Sequence, residues 1–294
     1  GVYSQRLGGY RSGSSNVSKD YVLVKPGEPR LHTNYPVLAT EIEQTVFTAS
    51  MSYQLSERDT LSLTVPYVRQ KTHHMSVVEG YSSFTIDTEG MGDVGMSWRN
   101  RFYSDAICQF SAGIGVSLPT GSIDELGDTP RAPGDQQLPY TMQLGSGTYD
   151  AKFNLGMSWY FSSWTWVTDA AYVRRLGTND RDYKLGNRFS VATTWHRTLS
   201  DNLKLELGGA YQTSGAISGS DSEIEIPGPF PYPASITDPA NFGGDIGRLR
   251  ARLTYRFSES QSISAGYDDP LYQHPNGVQP KAKGRFLFNW MIEF

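Results

Sequence analysis

Apolar and polar residues alternate along most of the chain. Phe47, Ala49, Met51, Tyr53 and Leu55 alternate with small polar residues, which is the pattern of a strand with one apolar and one polar face. A tight turn at 56–59 follows, and the same alternation recurs to the end of the chain. Eleven such segments can be counted, and consecutive ones are compatible with antiparallel pairing.

The connections between these segments alternate between short and long. Tight turns fall at 56–59, 104–106, 162–163, 200–202 and 258–260, and the loops between them cover 73–88, 119–147, 177–184, 215–244 and 268–283. Short periplasmic turns opposite long extracellular loops are typical of outer-membrane barrels. The sequence therefore predicts an all-β fold, a transmembrane antiparallel up-and-down β-barrel.

The number of strands follows from their direction. If the tight turns are periplasmic, the first and last of the eleven strands both run toward the periplasm, which leaves an odd count that bacterial single-chain barrels avoid. We therefore expect one further strand within residues 2–24 and a barrel of about twelve strands. The prediction is a single barrel domain over 1–294, in which residues 1–36 hold this strand and a loop.

Composition narrows the class of partner. Aromatic residues make up 13% of the chain, and many lie near the tight turns, as a belt at the membrane interface requires; the alternative is that they are simply good strand formers. A net charge of −4 gives no general attraction to nucleic acid. No apolar run is long enough for a membrane helix, so the chain is expected to cross a membrane only as a β-barrel. The expected location is therefore the outer membrane of a Gram-negative bacterium, in contact with its lipid and lipopolysaccharide.

Two sets of motifs resemble known barrels. The last nine residues, which end at Phe294, resemble the C-terminal signal that the barrel assembly machinery reads. The segments 90–96 (GMGDVGM), 118–121 (LPTG) and 144–150 (LGSGTYD) resemble motifs of the family named after the meta-pathway of phenol degradation, often labelled "transporter". That resemblance implies an outer-membrane barrel and uptake of aromatic or hydrophobic solutes.

Strand parity predicts a charged lumen. If Leu249 and Leu253 face lipid, the residues between them face inward, and turning arginines to the lipid would cost about 2–4 kcal/mol each near the midplane. The predicted lumen and solute-binding residues are Arg248, Arg250, Arg252, Arg256, Arg99, Arg101, Lys152 and Arg188. Acidic residues with inward parity leave two interpretations open, a lumen that attracts anions or one that salt bridges close.

Other chemistry is weakly indicated. His73, His74 and His274 have no recognisable Ser or Asp partner, so we expect no enzyme, no catalytic residue, no bound metal and no cofactor. The proline-rich stretch 227–233 carries Phe230 and Tyr232 and is predicted to be a constriction, a partner-binding loop or only a stiff external loop. The expected function is an outer-membrane channel for passive uptake of small organic solutes, aromatic or anionic. The alternative is a non-conducting scaffold that binds an envelope protein partner.

Overall fold

Twelve antiparallel strands form a closed barrel, as predicted. The computed structural model describes residues 1–25 and 27–294. Strand β1 pairs with both its sequence neighbour and the last strand, which closes the wall. The strands are β1 (Val2–Ser12), β2 (Val37–Gln54), β3 (Asp59–Ser76), β4 (Ser83–Met91 and Gly95–Ser104), β5 (Cys108–Ser117), β6 (Tyr149–Tyr160), β7 (Trp164–Leu176), β8 (Arg188–Ser200), β9 (Leu203–Ser214), β10 (Gly244–Ser258), β11 (Gln261–Pro275) and β12 (Val278–Ile292).

Strand β1 supplies the closure although its sequence lacks a clear apolar face. Tyr3 lies opposite Val46 of β2 and opposite Leu287 of β12. On the outer face Arg6 pairs with Glu43, 3.0 Å away. A closed ring leaves no strand edge with unpaired backbone groups, which is what lipid demands of a sheet.

The outer face of the barrel is apolar. Leu155, Phe288 and Trp290 are 60%, 50% and 56% exposed, which a water-facing surface rarely shows in such a continuous band. Near the periplasmic turns Trp159 stacks on Trp166, with ring centroids 5.2 Å apart. The protein is thus a transmembrane barrel of the outer-membrane type. No helix in the described residues combines the length and apolarity needed to cross a bilayer.

Two of the loops expected to be long are mostly strand. Strand β3 continues to Ser76 before β4 begins at Ser83, and β11 continues to Pro275 before β12 begins at Val278. In these extensions both faces can be polar, as where Lys71 lies opposite Asp87. The apolar alternation therefore ends at the lipid boundary while the backbone pairing continues beyond it.

Strand β4 is interrupted at residues 92–94. Its first segment, Ser83–Met91, pairs with β3, whereas its second segment pairs with both β3 and β5. The segment 118–148 packs beside the first half of β4, where the Thr88 hydroxyl donates to the carbonyl of Met142 at 2.8 Å. A loop thus completes the wall at this point.

Candidate functional site

Two loops, 118–148 and 215–243, fill the extracellular mouth. Ala234 and Ile236 pack against Val37, Ala39 and Ile42 of β2. A second buried cluster joins residues from three loops, Tyr140, Tyr183, Ile217 and Ile224. The apolar core of the described residues therefore sits in the mouth, and we call this packed pair of loops the lid.

The lid is dry enough to change the acidity of its tyrosines. Burial raises the pKa of Tyr183 to about 12 and also raises the pKa of Tyr140. Both phenols are neutral at physiological pH. At the outer surface Arg181 ties the loops together, because its guanidinium lies 2.7 Å from Asp124 and 3.0 Å from Glu223.

The lid is fastened to the wall at Asp93, in the gap of β4. The Asp93 carboxylate accepts from the backbone N–H of Gly121 at 3.0 Å and from the backbone N–H of Ser146 at 2.8 Å. The Thr120 hydroxyl donates to the carbonyl of Gly92 at 3.0 Å. The three segments that carry the family resemblance, 90–96, 118–121 and 144–150, thus meet in one place.

Glycine is required where the two ends of the 118–148 loop cross. A Cβ atom added to Gly145 would lie 2.2 Å from the carbonyl oxygen of Gly121, far inside contact distance. The backbones can approach this closely only without side chains. This explains why the resembling motifs contain glycine at both positions.

Below the lid, the lumen has one charged wall. Arg248, Arg250 and Arg252 of β10 alternate with Leu249 and Leu253, which are 54% and 44% exposed on the outer face. Because alternate residues of a strand face opposite sides, the arginines face inward. The pairing partners of β10 carry further inward charges, among them Glu206 on β9 and Asp268 on β11.

The wall formed by β1 to β3 is neutral and polar. Gln5, Gln44 and Gln70 form a chain of hydrogen bonds across β1, β2 and β3, with amide contacts of 2.9 and 3.0 Å. Toward the periplasm this face continues with small hydroxyl side chains. They are Thr48, Ser50, Ser52, Thr60, Ser62 and Thr64. The lumen therefore combines a charged side with a hydrogen-bonding side.

Carboxylates pair with some of the lumen arginines. Arg250 lies 3.4 Å from Asp268, Arg252 lies 3.7 Å from Glu206, and Arg99 lies 3.4 Å from Asp169. Arg285 also contacts Asp268, and Arg175 contacts Asp150. Within the described residues, Arg188, Arg248 and Lys152 have no carboxylate within 4.0 Å. The inward charge is therefore basic in excess.

A cavity lies beside the lower part of the charged wall. Its volume is about 190 Å³, and it is lined by Asp169, His196, Glu206, Arg250 and Arg252 among others. His196 is within 2.7 Å of the Thr194 hydroxyl and 3.5 Å of Glu206. The described residues contain no group of three or more His, Cys, Asp or Glu side chains placed to hold a metal ion.

Two of the predicted arginines lie at the periplasmic rim. Arg101 donates to the backbone carbonyl of Glu57 in the turn between β2 and β3. Arg256 lies two residues before the end of β10 and is exposed. They therefore border the periplasmic opening, whereas Arg248, Arg250 and Arg252 lie deeper.

The remaining predicted residues lie at the two ends of the molecule. Phe230 packs edge-on against His32 at 5.1 Å, and Arg30 contacts the backbone carbonyl of Tyr232. Both residues of the proline-rich stretch thus border the N-terminal loop. The part of the 215–243 loop that fills the mouth is 233–237, which is buried. Phe294 lies beyond the last residue of β12 and is fully exposed.

Sequence reasoning missed two residues. Tyr3 reaches into the lumen from β1, and its ring lies 5.6 Å from the guanidinium carbon of Arg285. Its segment lacks periodicity, so only the strand count pointed to it. The second is Asp93, which holds the loops; the glycines around it, at 90, 92 and 95, are the signal of close backbone approach that could have indicated it.

The barrel is similar to solved outer-membrane proteins. An outer-membrane channel from Pseudomonas putida F1 superimposes with a TM-score of 0.60 at 12% identity, over 100% of this chain and 94% of that one. The NanC porin gives 0.47 at 10% identity, over 99% and 100%. A mutant of the TodX monoaromatic hydrocarbon channel gives 0.49 at 10% identity, over 100% and 78%. No protein-family model and no curated protein matches the sequence.

Proposed function

We propose that the protein is an outer-membrane channel through which small organic anions enter passively. One observation carries the proposal: the inward basic residues outnumber the inward carboxylates, and Arg188, Arg248 and Lys152 have no carboxylate within 4.0 Å in the described part of the chain. A low-dielectric wall strengthens the attraction of such charges for an anion. The fold that the chain shares with a channel of Pseudomonas putida F1 supports the same role.

In this proposal the lid is the closed state of the channel. The loops 118–148 and 215–243 pack in the mouth, so an anion can pass only when they move. We also propose membership of the family named after the meta-pathway of phenol degradation, because its three motifs meet at Asp93. Phe294, exposed beyond β12, is proposed as the signal read by the barrel assembly machinery.

The packed mouth also favours a second candidate, a non-conducting barrel that serves as a scaffold for an envelope protein. Phe230 and Tyr232 lie in the extracellular loop at the rim, where a partner could contact them.

Single-channel recording in planar bilayers separates the two candidates. The informative variant replaces 216–242 with a short Gly/Ser link, which removes one half of the lid. The channel proposal expects low or flickering current from the native protein and steady, larger current from this variant. A correctly folded variant that passes no current would contradict the channel and favour the scaffold.

A further inference from the structure

A group of arginines in the lumen lacks acceptors. The Nη1 atom of Arg248 and the Nε atom of Arg285 are both sealed from solvent and have no hydrogen-bond partner. A buried N–H without an acceptor costs free energy, more so on a charged group. These two side chains therefore carry buried N–H groups of the charged wall that lack hydrogen-bond acceptors.

The local charge is also unbalanced. Arg250 and Arg285 share the single carboxylate of Asp268, and Arg248 lies two residues from Arg250 on the same face. Three guanidinium groups thus face one carboxylate. An added anion would relieve the repulsion between them.

An aromatic side chain lies next to these arginines, on the neighbouring strand. Tyr3 is on β1, which pairs with β12. Its ring lies 5.6 Å from the guanidinium carbon of Arg285, and its hydroxyl lies 3.4 Å from Gln44. A solute held by Arg285 would therefore lie beside this ring.

We infer that Arg248, Arg285 and Tyr3 form a binding subsite for the carboxylate group of a small organic acid. The planar guanidinium groups match a carboxylate, whose two oxygens accept hydrogen bonds from guanidinium N–H groups and would balance the excess positive charge. Tyr3 borders the subsite from the neighbouring strand, β1. The inference rests on the proposed function and adds the chemical class of the solute.

Isothermal titration of the detergent-folded barrel tests the subsite without requiring conduction. Benzoate is the probe, and benzamide is its uncharged counterpart. We expect benzoate to bind and benzamide not to bind. The Arg248→Gln variant should lose about tenfold or more in benzoate affinity, and Arg248→Lys should recover only part of it, since lysine keeps the charge without the planar fork.

The matched control is Arg69→Gln, which removes an arginine that pairs with Glu89 on the outer face at 2.5 Å and should leave benzoate binding unchanged. Equal benzoate affinity in Arg248→Gln and the native protein would overturn the subsite. Inorganic phosphate that displaces benzoate with equal affinity would overturn its assignment to carboxylates. If benzoate does not bind while chloride current flows, the inferred carboxylate subsite is wrong but the proposed channel function is retained.

Discussion

The carboxylate of Asp93 accepts two hydrogen bonds from Ser146, from its backbone N–H at 2.8 Å and from its hydroxyl at 2.7 Å. The residues belong to the gap in β4 and to the end of the 118–148 loop. Hydrogen bonds to a charged group are each worth about 1.5–3 kcal/mol. Asp93→Asn should therefore weaken the attachment of the lid, and we expect more frequent or longer openings in single-channel records.

The control for that variant is Asp135→Asn, which changes an exposed carboxylate in the same loop. It should behave like the native protein. Identical openings in Asp93→Asn and Asp135→Asn would show that Asp93 does not hold the lid.

The buried phenol of Tyr183 predicts a response to alkaline pH. Burial raises its pKa from 10.0 to about 12. Below pH 10 the phenol is neutral whether the lid is packed or open, so the full stabilisation that the buried phenol gives to the packed lid is present. Between pH 10 and 12 the open lid gains the ionised phenol and packing weakens. Conductance should therefore rise across this interval.

Tyr183→Phe removes the ionisable group and keeps the ring that packs against Tyr140, with centroids 4.7 Å apart. The rise in conductance should become smaller in this variant. A rise of equal size in both proteins would assign the pH response to other groups.

Replacing Trp290 tests how much the lipid-facing aromatic belt contributes to barrel stability. It is 56% exposed on the outer face, and its indole N–H donates to Gln261 at 3.3 Å. Trp290→Ala should lower the free energy of unfolding by roughly 1–3 kcal/mol, measured by urea denaturation in lipid vesicles. Leu31→Ala changes an equally exposed residue, 56%, in the extracellular N-terminal loop and should have little effect.

Deletion of Phe294 distinguishes an effect on assembly in cells from an effect on the stability of the folded barrel. Because the ring is fully exposed beyond β12, its deletion should leave refolding in detergent unchanged while the amount of protein in the outer membrane falls. Equal amounts in cells with and without Phe294 would remove it as an assembly signal.

The barrel was predictable because lipid imposes a strict rule on its wall. Leu249 and Leu253 must face outward, so the arginines between them must face inward, and parity alone located Arg248, Arg250 and Arg252. The upstream strand followed from the even strand count, although nothing in its own pattern gave its bounds as Val2–Ser12.

The lid and the ion pairs were not predictable in the same way. Ile236 packs against Val37 although the two are far apart in sequence, and no periodicity records such a contact. Which arginine keeps a free N–H depends on register across three strands, as where Arg250 and Arg285 meet at Asp268. Alternation gives the face on which a side chain lies, and pairing register decides what it contacts.

Reversal potential under a salt gradient tests the central claim, an anion-attracting lumen. The native channel should prefer chloride over potassium. Arg250→Gln with Arg252→Gln should reduce that preference and its dependence on salt, because fewer fixed charges remain to be screened over a Debye length of about 10 Å at 0.1 M. Arg6→Gln with Arg69→Gln, which removes two arginines from the outer face, should not. A native channel selective for cations would contradict the account.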